Sequence, residues 1–361
     1  MNRFCETSSG GHRNQQAVEM RQRVHIIGSA IVVAVAFACV VPLAGQTPTT
    51  HRDTAPASTA ADARKWTTPR TAWGHPDLQG LWNNSTPTPL ERPADVANRD
   101  FLTDEGWAAR AREVATRAEQ RPDDPDADLT LAYNQVWWDR GMPLRRTSLI
   151  IDPADGRLPP LTPEGRKRLA EREAAASNRG PADSWEDRPL PERCLVYHAV
   201  PPLPTGYNNN YLIAQTRDSV AIRYEMLAHI RIIPLDGRPH LGPAIRQWLG
   251  NSRGHWEGDT LVVETTDYNS KTHLRFFAVA YETLRVIERF TRTAEDRIDY
   301  RFTIDNPTMY TRPWTAELPF TKARGPIYEY ACHEANYSLP NVLRGHRHAE
   351  AAVREQGSGK R

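Results

Sequence analysis

The stretch LRVIERFTRTAEDRIDYRF (Leu284–Phe302) decides the fold class, because apolar and polar residues alternate on both sides of a polar centre. Alternation with a period of two is typical of strands with one buried face, so the stretch predicts a β-hairpin. A carboxylate, Glu288, occupies the apolar face of the first strand. If Phe290 faces Ile298, Glu288 lies opposite Tyr300. Because burial disfavours a charged carboxylate, we predict that Glu288 acts as a catalytic acid or base, with Tyr300 orienting it.

A structural interpretation of Glu288 stays open beside the catalytic one. Interior glutamates are also found paired with an arginine and without any chemical role. Arg231 or Arg246 is the expected partner in that case. Both arginines are also predicted to contact a ligand.

Eight segments after residue 209 share the period of two, which favours an antiparallel meander closed as a lipocalin-like barrel, with a β-sandwich as the alternative. They are YLIAQT, SVAIRYE, HIRIIPL, DTLVVETT, LRVIERFT, RIDYRFTI, WTAELPF and IYEYACHE. The earlier sequence Gly80-Leu81-Trp82 resembles the first-strand motif of lipocalin-like barrels. Charged segments that follow Thr103 and Thr162 predict helical insertions at about 103–120 and 163–177.

The amino-terminal region has the order of a secretory signal. The apolar run Val24–Val41 follows two arginines and precedes small residues. We therefore predict an extension and cleaved signal peptide at 1–45, while an uncleaved inner-membrane anchor stays open as the alternative. A disordered linker is predicted at 46–65, a single barrel-like domain with insertions at 66–340, and a disordered tail at 341–361. The mature protein is expected in the periplasm or outside the cell.

Composition and absent motifs exclude several function classes. The chain has 46 basic and 44 acidic residues and a net charge of +2, which argues against nucleic acid or an anionic membrane surface as a partner. It contains no GxSxG, no Walker lysine loop, no GxGxxG after a strand and no CxxCH. We accordingly predict no cofactor. Cys194 and Cys332 are predicted to form a disulfide in an exported chain, the alternative being two buried thiols.

Two further groups of ionisable residues are candidates for chemistry. His229 and Glu225 flank a short turn and are predicted to form a second catalytic pair; the alternative is a solvated charged face on which odd-numbered residues point outward. Glu329 and His333 share one face of the predicted strand IYEYACHE and are predicted to contact a ligand. No second histidine stands at ligand spacing, so no metal is predicted, and His346 falls in the predicted tail.

Aromatic residues supply the last candidates. Tyr211, Trp256 and Trp314 belong to a chain with ten tryptophans, and they are predicted to line an aromatic cavity that holds an apolar or aromatic ligand. The alternative is ordinary core packing.

Several long motifs together resemble a family of exported, uncharacterised proteins from environmental bacteria. The resemblance spans about His75 to Tyr337 and rests on LQGLW, IIPLDGRPHL, WEGDTLVVETT, RPWTAELPF and GPIYEYACHE. It implies an exported single-domain protein and assigns no role to any residue.

These patterns together predict a protein that binds a small, partly apolar molecule, aromatic or isoprenoid-like, in a barrel cavity. If it is an enzyme, cofactor-independent acid–base chemistry of the lyase, isomerase or hydratase type fits the candidate residues best. A non-catalytic carrier and an envelope interaction module are the alternatives.

Overall fold

The computed structural model describes residues 66–119, 138–197, 200–272, 281–334 and 336–358. The predicted signal peptide and linker lie outside the described residues. The strands are β1 (Gly80–Asn83), β2 (Ile150–Asp152), β3 (Asn210–Gln215), β4 (Ser219–Tyr224), β5 (Ile230–Pro234), β6 (Asn251–Glu257), β7 (Thr260–Thr266), β8 (Arg285–Ala294), β9 (Arg297–Asp305) and β10 (Trp314–Lys322). The helices are α1 (Asp104–Glu119), α2 (Pro163–Ser177) and α3 (Ser338–Ser358).

Nine of these strands form a nearly closed antiparallel barrel, which confirms the expected mainly β fold. Hydrogen-bonded neighbours follow the order β5, β4, β3, β1, β10, β9, β8, β7, β6, and β2 pairs with β10 outside this path. The first strand pairs with both β3 and β10, so it joins the two halves of the meander. The two ends of the order, β5 and β6, lie side by side without a ladder. We call this boundary the seam.

The barrel interior is packed with aromatic side chains. Tyr211, Phe290, Tyr300 and Phe320 are each no more than 1% exposed, and the Phe290 and Tyr300 ring centres are 4.7 Å apart. Burial of one such side chain contributes roughly 1.5–3 kcal/mol to stability. These contacts make the inside a packed core at this level of the barrel.

The sixth strand was not predicted, because its sequence NSRGHWE is polar and contains a glycine. Gly254 allows β5 to approach β6 at the seam: a Cβ atom at this position would lie 2.8 Å from both Ile233 Cγ2 and Leu235 Cδ2. A larger residue would push these side chains away. The glycine that weakens the strand pattern in the sequence is therefore what brings the two edges of the barrel together.

The β8–β9 hairpin forms as predicted, but its register differs by two residues. Phe290 pairs with Tyr300 and Glu288 with Phe302. The turn joins Ala294 to Arg297, and the bulge between Arg292 and Ala294 then shifts the pairing by one residue. A shift by two keeps every side chain on its predicted face, and Glu288 still points inward with 0% exposure.

The expectation that odd-numbered residues of β4 and β5 share a solvated face is wrong. On β4 the even-numbered residues Ile222 and Tyr224 are buried, whereas on β5 the odd-numbered Arg231 and Ile233 are buried and Ile230 is 61% exposed. The short 3-10 turn Met226–Ala228 reverses the alternation between the two strands. This reversal directs Arg231 into the barrel.

The carboxy-terminal region differs most from the expectation. The segment IYEYACHE is not a strand but an irregular segment that ends in a turn at residues 332–334. The predicted disordered tail at 341–361 is wrong over most of its length, since α3 extends from Ser338 to Ser358.

By contrast, the segments expected to be helical at about 103–120 and 163–177 correspond to α1 and α2. The Thr162 hydroxyl caps α2 by accepting a hydrogen bond from Gly165 N at 2.9 Å.

The predicted disulfide is present between Cys194 and Cys332, which are separated by 138 residues in sequence. Within the described parts of the chain, no helix combines the length and the apolar character that crossing a membrane requires.

Candidate functional site

Five side chains meet across the inside of the seam, and we call them the seam network: Arg231, Ser252, Thr265, Glu288 and Tyr300. The Arg231 guanidinium donates to both carboxylate oxygens of Glu288, with a distance of 3.1 Å to Oε1. It also donates to Ser252 Oγ at 2.8 Å and to Thr265 Oγ1 at 2.9 Å. The Tyr300 hydroxyl donates to Glu288 Oε1 at 2.9 Å. The network links β5 to β6, β7, β8 and β9, so side chains bridge the boundary that the backbone leaves unpaired.

The charges of the seam network compensate one another. Burial opposes the charge of Arg231, but the adjacent Glu288 carboxylate holds the Arg231 pKa above its ordinary value. Burial, followed by the charge of Glu288, raises the pKa of Tyr300 well above its usual range. Glu288 therefore has a cation and a hydroxyl donor as partners, and its side chain is 0% exposed. This arrangement fits the structural interpretation of Glu288, while its catalytic role stays a prediction.

An open cleft of roughly 1350 Å³ lies at one end of the barrel. Strand register places Asn83 at the end of β1 beside Asn210 at the start of β3 and Thr321 near the end of β10, so the strand ends form the cleft floor. Irregular segments around Asp139 and around residues 323–332 form its walls. The lining includes four carboxylates (Asp139, Glu192, Glu225 and Glu329), three tyrosines (Tyr207, Tyr328 and Tyr330) and two cations (Lys322 and Arg324).

Two carboxylates of the cleft are joined by a chain of hydrogen bonds through two amides. Asn83 Nδ2 donates to Asp139 Oδ2 at 2.6 Å and to Asn210 Oδ1 at 3.0 Å, and Asn210 Nδ2 donates to Glu225 Oε2 at 2.8 Å. The Asn83 amide cannot be turned around, because its Oδ1 accepts from both Ser85 N and Ser85 Oγ. The chain fixes both carboxylates at the floor of the cleft.

Glu225 is the most buried of these acids. It is 3% exposed, yet among the described residues it has no ion-pair partner. Its Oε2 accepts from Asn210, whereas its Oε1 has only Tyr328 N at 3.5 Å, longer than an ordinary hydrogen bond. A buried carboxylate oxygen whose one donor is this distant is stabilised when another group supplies a closer hydrogen bond. Glu225 Oε1 is thus a preformed acceptor at the cleft.

Backbone strain is concentrated beside the cleft. The structure describes five non-glycine residues with positive φ, and four of them adjoin the cleft: Cys194 (55°), Asn208 (55°), Leu227 (57°) and Ala228 (51°). Each such conformation costs of order 1–3 kcal/mol and persists only where the surroundings impose it. Leu227 and Ala228 belong to the turn that follows Glu225, which connects the strain to the position of that carboxylate.

The wall that carries Tyr328 and Tyr330 is tied down at its far end. Cys332 is bonded to Cys194, and Asn336 Nδ2 donates to Glu192 O at 2.7 Å and approaches Cys194 Sγ at 3.4 Å. The segment has no strand partner of its own, so these ties determine where its tyrosines lie relative to Glu225.

The structure divides the residues predicted from sequence into separate places. Glu288, Tyr300 and Arg231 lie together in the seam network, while Glu225 and Glu329 lie together in the cleft. His229 follows the turn after Glu225 and is half-buried, and it is not among the residues that line the cleft. His333 is exposed in the turn near Cys332.

The remaining predicted residues pack within the protein. Tyr211 contacts Tyr224 and Phe320, with ring centres 5.2 and 5.1 Å away. Trp314 packs against Phe302 in the core, and Trp256 lies 5.6 Å from the ring of His75. Arg246 donates to Tyr268 O at 3.3 Å. These four residues hold the fold around the two sites.

Sequence reasoning missed Asp139, Asn83 and Tyr328. Asn83 ends the Gly80-Leu81-Trp82 strand, and a polar residue directly after a strand is a usable signal for a site at a barrel end. Asp139 and Tyr328 stand in irregular segments and carry no periodic signal.

Comparison of the chain with known protein families, with functionally described proteins and with solved structures finds no match. The resemblance to a family of exported proteins accordingly stays a prediction.

Proposed function

We propose that this protein is an exported small-molecule-binding protein whose ligand occupies the cleft, with Glu225 as its main polar anchor. The observation that carries the proposal is a carboxylate, 3% exposed, whose Oε1 accepts only a long 3.5 Å hydrogen bond among the described residues and which lines a cleft large enough for a small organic molecule. A ligand group that donates a hydrogen bond would complete the coordination of this oxygen.

The lining supports a ligand of mixed character. Tyr207, Tyr328 and Tyr330 offer ring faces for an apolar or aromatic portion, and the carboxylates accept hydrogen bonds from hydroxyl or amine groups. This combination suits the partly apolar ligand expected from the sequence. In our proposal that ligand lies at the end of the barrel instead of in its interior.

The cleft also suits acid–base chemistry. Glu225 is desolvated and hydrogen-bonded through Asn210 and Asn83 to a second carboxylate, Asp139, and paired acids in one site are a common basis for proton transfer. In this form of the proposal Glu225 is the acid or base that contacts the substrate. The competing hypothesis of catalysis at Glu288 requires substrate to reach a side chain with 0% exposure.

Native mass spectrometry of the protein purified from its own host tests the proposal. We expect a bound mass that is lost on denaturation, and that is also lost from Glu225→Gln. Glu192→Gln is the matched control, because Glu192 lines the same cleft but is held by Arg188 through hydrogen bonds of 2.8–3.1 Å. It should keep the bound mass.

Two results would overturn the assignment. A bound mass that persists in Glu225→Gln and changes in Glu288→Gln would move the site to the barrel interior. No bound mass in any variant, together with no small molecule detected by ligand-observed NMR against a fragment library, would favour the interaction module.

A further inference from the structure

The carboxy-terminal helix brings three ligand-type side chains together away from the cleft. His346 and Glu350 stand one turn apart on α3 and meet Asp183, which precedes the 3-10 turn Trp185–Asp187. His346 Nε2 is 3.1 Å from Asp183 Oδ1 and 3.4 Å from Glu350 Oε1, and the three ligand atoms lie within 4.8 Å of one another. The sequence-based expectation of no metal had treated His346 as part of a disordered tail.

The loop that holds Asp183 is fixed by its own hydrogen bonds. Gly180 N donates to Asp183 Oδ2 at 2.7 Å, which leaves Oδ1 directed at His346. Arg347 on α3 donates to Ala182 O at 3.0 Å and to Asp183 O at 2.8 Å. The aspartate is therefore oriented before any ion binds, as supporting hydrogen bonds orient metal ligands in general.

The spacing of these atoms suits a tetrahedral ion. Zinc bonds of about 2.0–2.1 Å to nitrogen and oxygen imply about 3.3 Å between neighbouring ligand atoms. The two distances that involve His346 are close to this separation. The distance between Asp183 Oδ1 and Glu350 Oε1 would shorten to it by a side-chain rotation. Imidazole with two carboxylates is a donor set that zinc accepts, and it leaves the fourth position for water.

We propose that Asp183, His346 and Glu350 bind one divalent transition-metal ion, zinc by preference, through Oδ1, Nε2 and Oε1. The ion ties α3 to the loop at 180–187. Because α3 begins at Ser338, a residue that lines the cleft, the ion also stabilises the base of the cleft wall. Arg347 Nη2 lies 2.9 Å from Glu350 Oε1, so its charge offsets one carboxylate and moderates the affinity.

Metal titration of the full chain after chelator treatment tests this inference independently of any cleft ligand. We expect one equivalent of Zn²⁺ to raise the melting temperature, and Co²⁺ to give the visible d–d absorption of a four-coordinate site. Asp183→Asn, His346→Gln and Glu350→Gln should each weaken zinc binding by roughly tenfold or more, since even the loss of a residue that only hydrogen-bonds to a metal ligand costs that much.

His348→Gln is the matched control, because His348 lies on the same helix and is exposed. It should bind zinc as the unaltered protein does. Circular dichroism of each variant without metal checks that α3 still forms. The inference is overturned if His346→Gln binds zinc as tightly as the unaltered chain, or if the unaltered chain shows no saturable uptake of either ion.

Discussion

Arg231 on β5 donates to Ser252 on β6 at 2.8 Å, across the seam where the two strands share no ladder. The same guanidinium holds Glu288, which in turn accepts from Tyr300 on β9. The barrel is consequently closed by side chains at the place where its backbone is open. The buried Arg231–Glu288 ion pair holds the seam together. Removing one partner should lower stability strongly, because the other charge would stay unpaired in the core.

We expect Arg231→Met to lower the free energy of unfolding by about 3–5 kcal/mol, since Glu288 would stay buried without its cation. The double variant Arg231→Met/Glu288→Leu should recover much of this loss, because it removes both charges and keeps apolar volume. Equilibrium denaturation in urea measures both values.

The control for this change is Arg289→Met on the outside of β8. Arg289 pairs with Glu257 in solvent, and exposed pairs contribute under about 1 kcal/mol. Equal losses from Arg231→Met and Arg289→Met would contradict a closing role for the seam network.

Alkaline titration should reveal buried tyrosines that resist ionisation. Burial raises the pKa of Tyr224 from an ordinary 10.0 to about 12. It also raises the pKa values of Tyr211, Tyr268 and Tyr300 well above the ordinary 10.0. A raised pKa in the folded state means that the unfolded chain loses these protons first. Their contribution to stability is therefore complete below pH 10 and declines as pH rises toward and beyond 12.

Phenolate absorbance followed against pH, with far-ultraviolet circular dichroism in parallel, tests this expectation. These buried tyrosines should ionise together with unfolding. Complete ionisation of all tyrosines in a folded protein near pH 10 would be inconsistent with the packed barrel.

His229 should make the protein less stable in acid. Burial lowers the pKa of His229, against a smaller opposing contribution from a hydrogen bond with the Leu195 backbone. The unfolded chain then takes up this proton more readily than the folded one. The contribution of neutral His229 to the free energy of unfolding is complete above about pH 6.5, and it is lost as the pH falls through the folded-state pKa of His229.

An NMR titration of the His229 ring should give a pKa below the ordinary histidine value of 6.5. His229→Gln should reduce the pH dependence of the unfolding free energy in the same range. A pKa for His229 at or above 6.5 would refute the prediction.

The disulfide should contribute strongly to stability because it closes a long loop. For a separation of 138 residues, the chain-entropy treatment gives about 5 kcal/mol, and measured values for other disulfides are typically about 2–4 kcal/mol. We expect Cys194→Ser/Cys332→Ser to lower the free energy of unfolding by about 2–5 kcal/mol. Denaturation of the oxidised protein and the double variant measures this, and a difference under about 1 kcal/mol would show that other contacts hold the segment.

The sequence specified the mainly β fold through local patterns. Alternation over Leu284–Phe302 predicted a hairpin, and its parity placed Glu288 and Tyr300 inward even though the predicted register was off by two residues. Parity survives such an error because a shift by two preserves the face of every side chain. The cysteine pairing was also predictable, since two cysteines remained in a chain expected to be exported.

Sequence patterns gave wrong predictions where the structure depends on pairing with distant segments. NSRGHWE is polar and contains a glycine, so β6 was missed, although Gly254 is what allows the approach of β5. IYEYACHE alternates like a strand but finds no partner in the sheet, and a strand forms only where another edge completes its hydrogen bonds.

By itself, the sequence determined the mainly β fold, the helical insertions that follow Thr103 and Thr162, and the inward carboxylate at Glu288, because each depends on periodicity or capping within a few residues. Only the tertiary structure decided that Arg231 closes the seam onto Glu288, that Glu225 and Asp139 share one cleft, and that His346 meets Asp183. These pairs are 57, 86 and 163 residues apart, and such contacts exist only after the chain has folded. Periodicity identifies the face on which a side chain lies, and the packing of distant segments decides which side chain it meets.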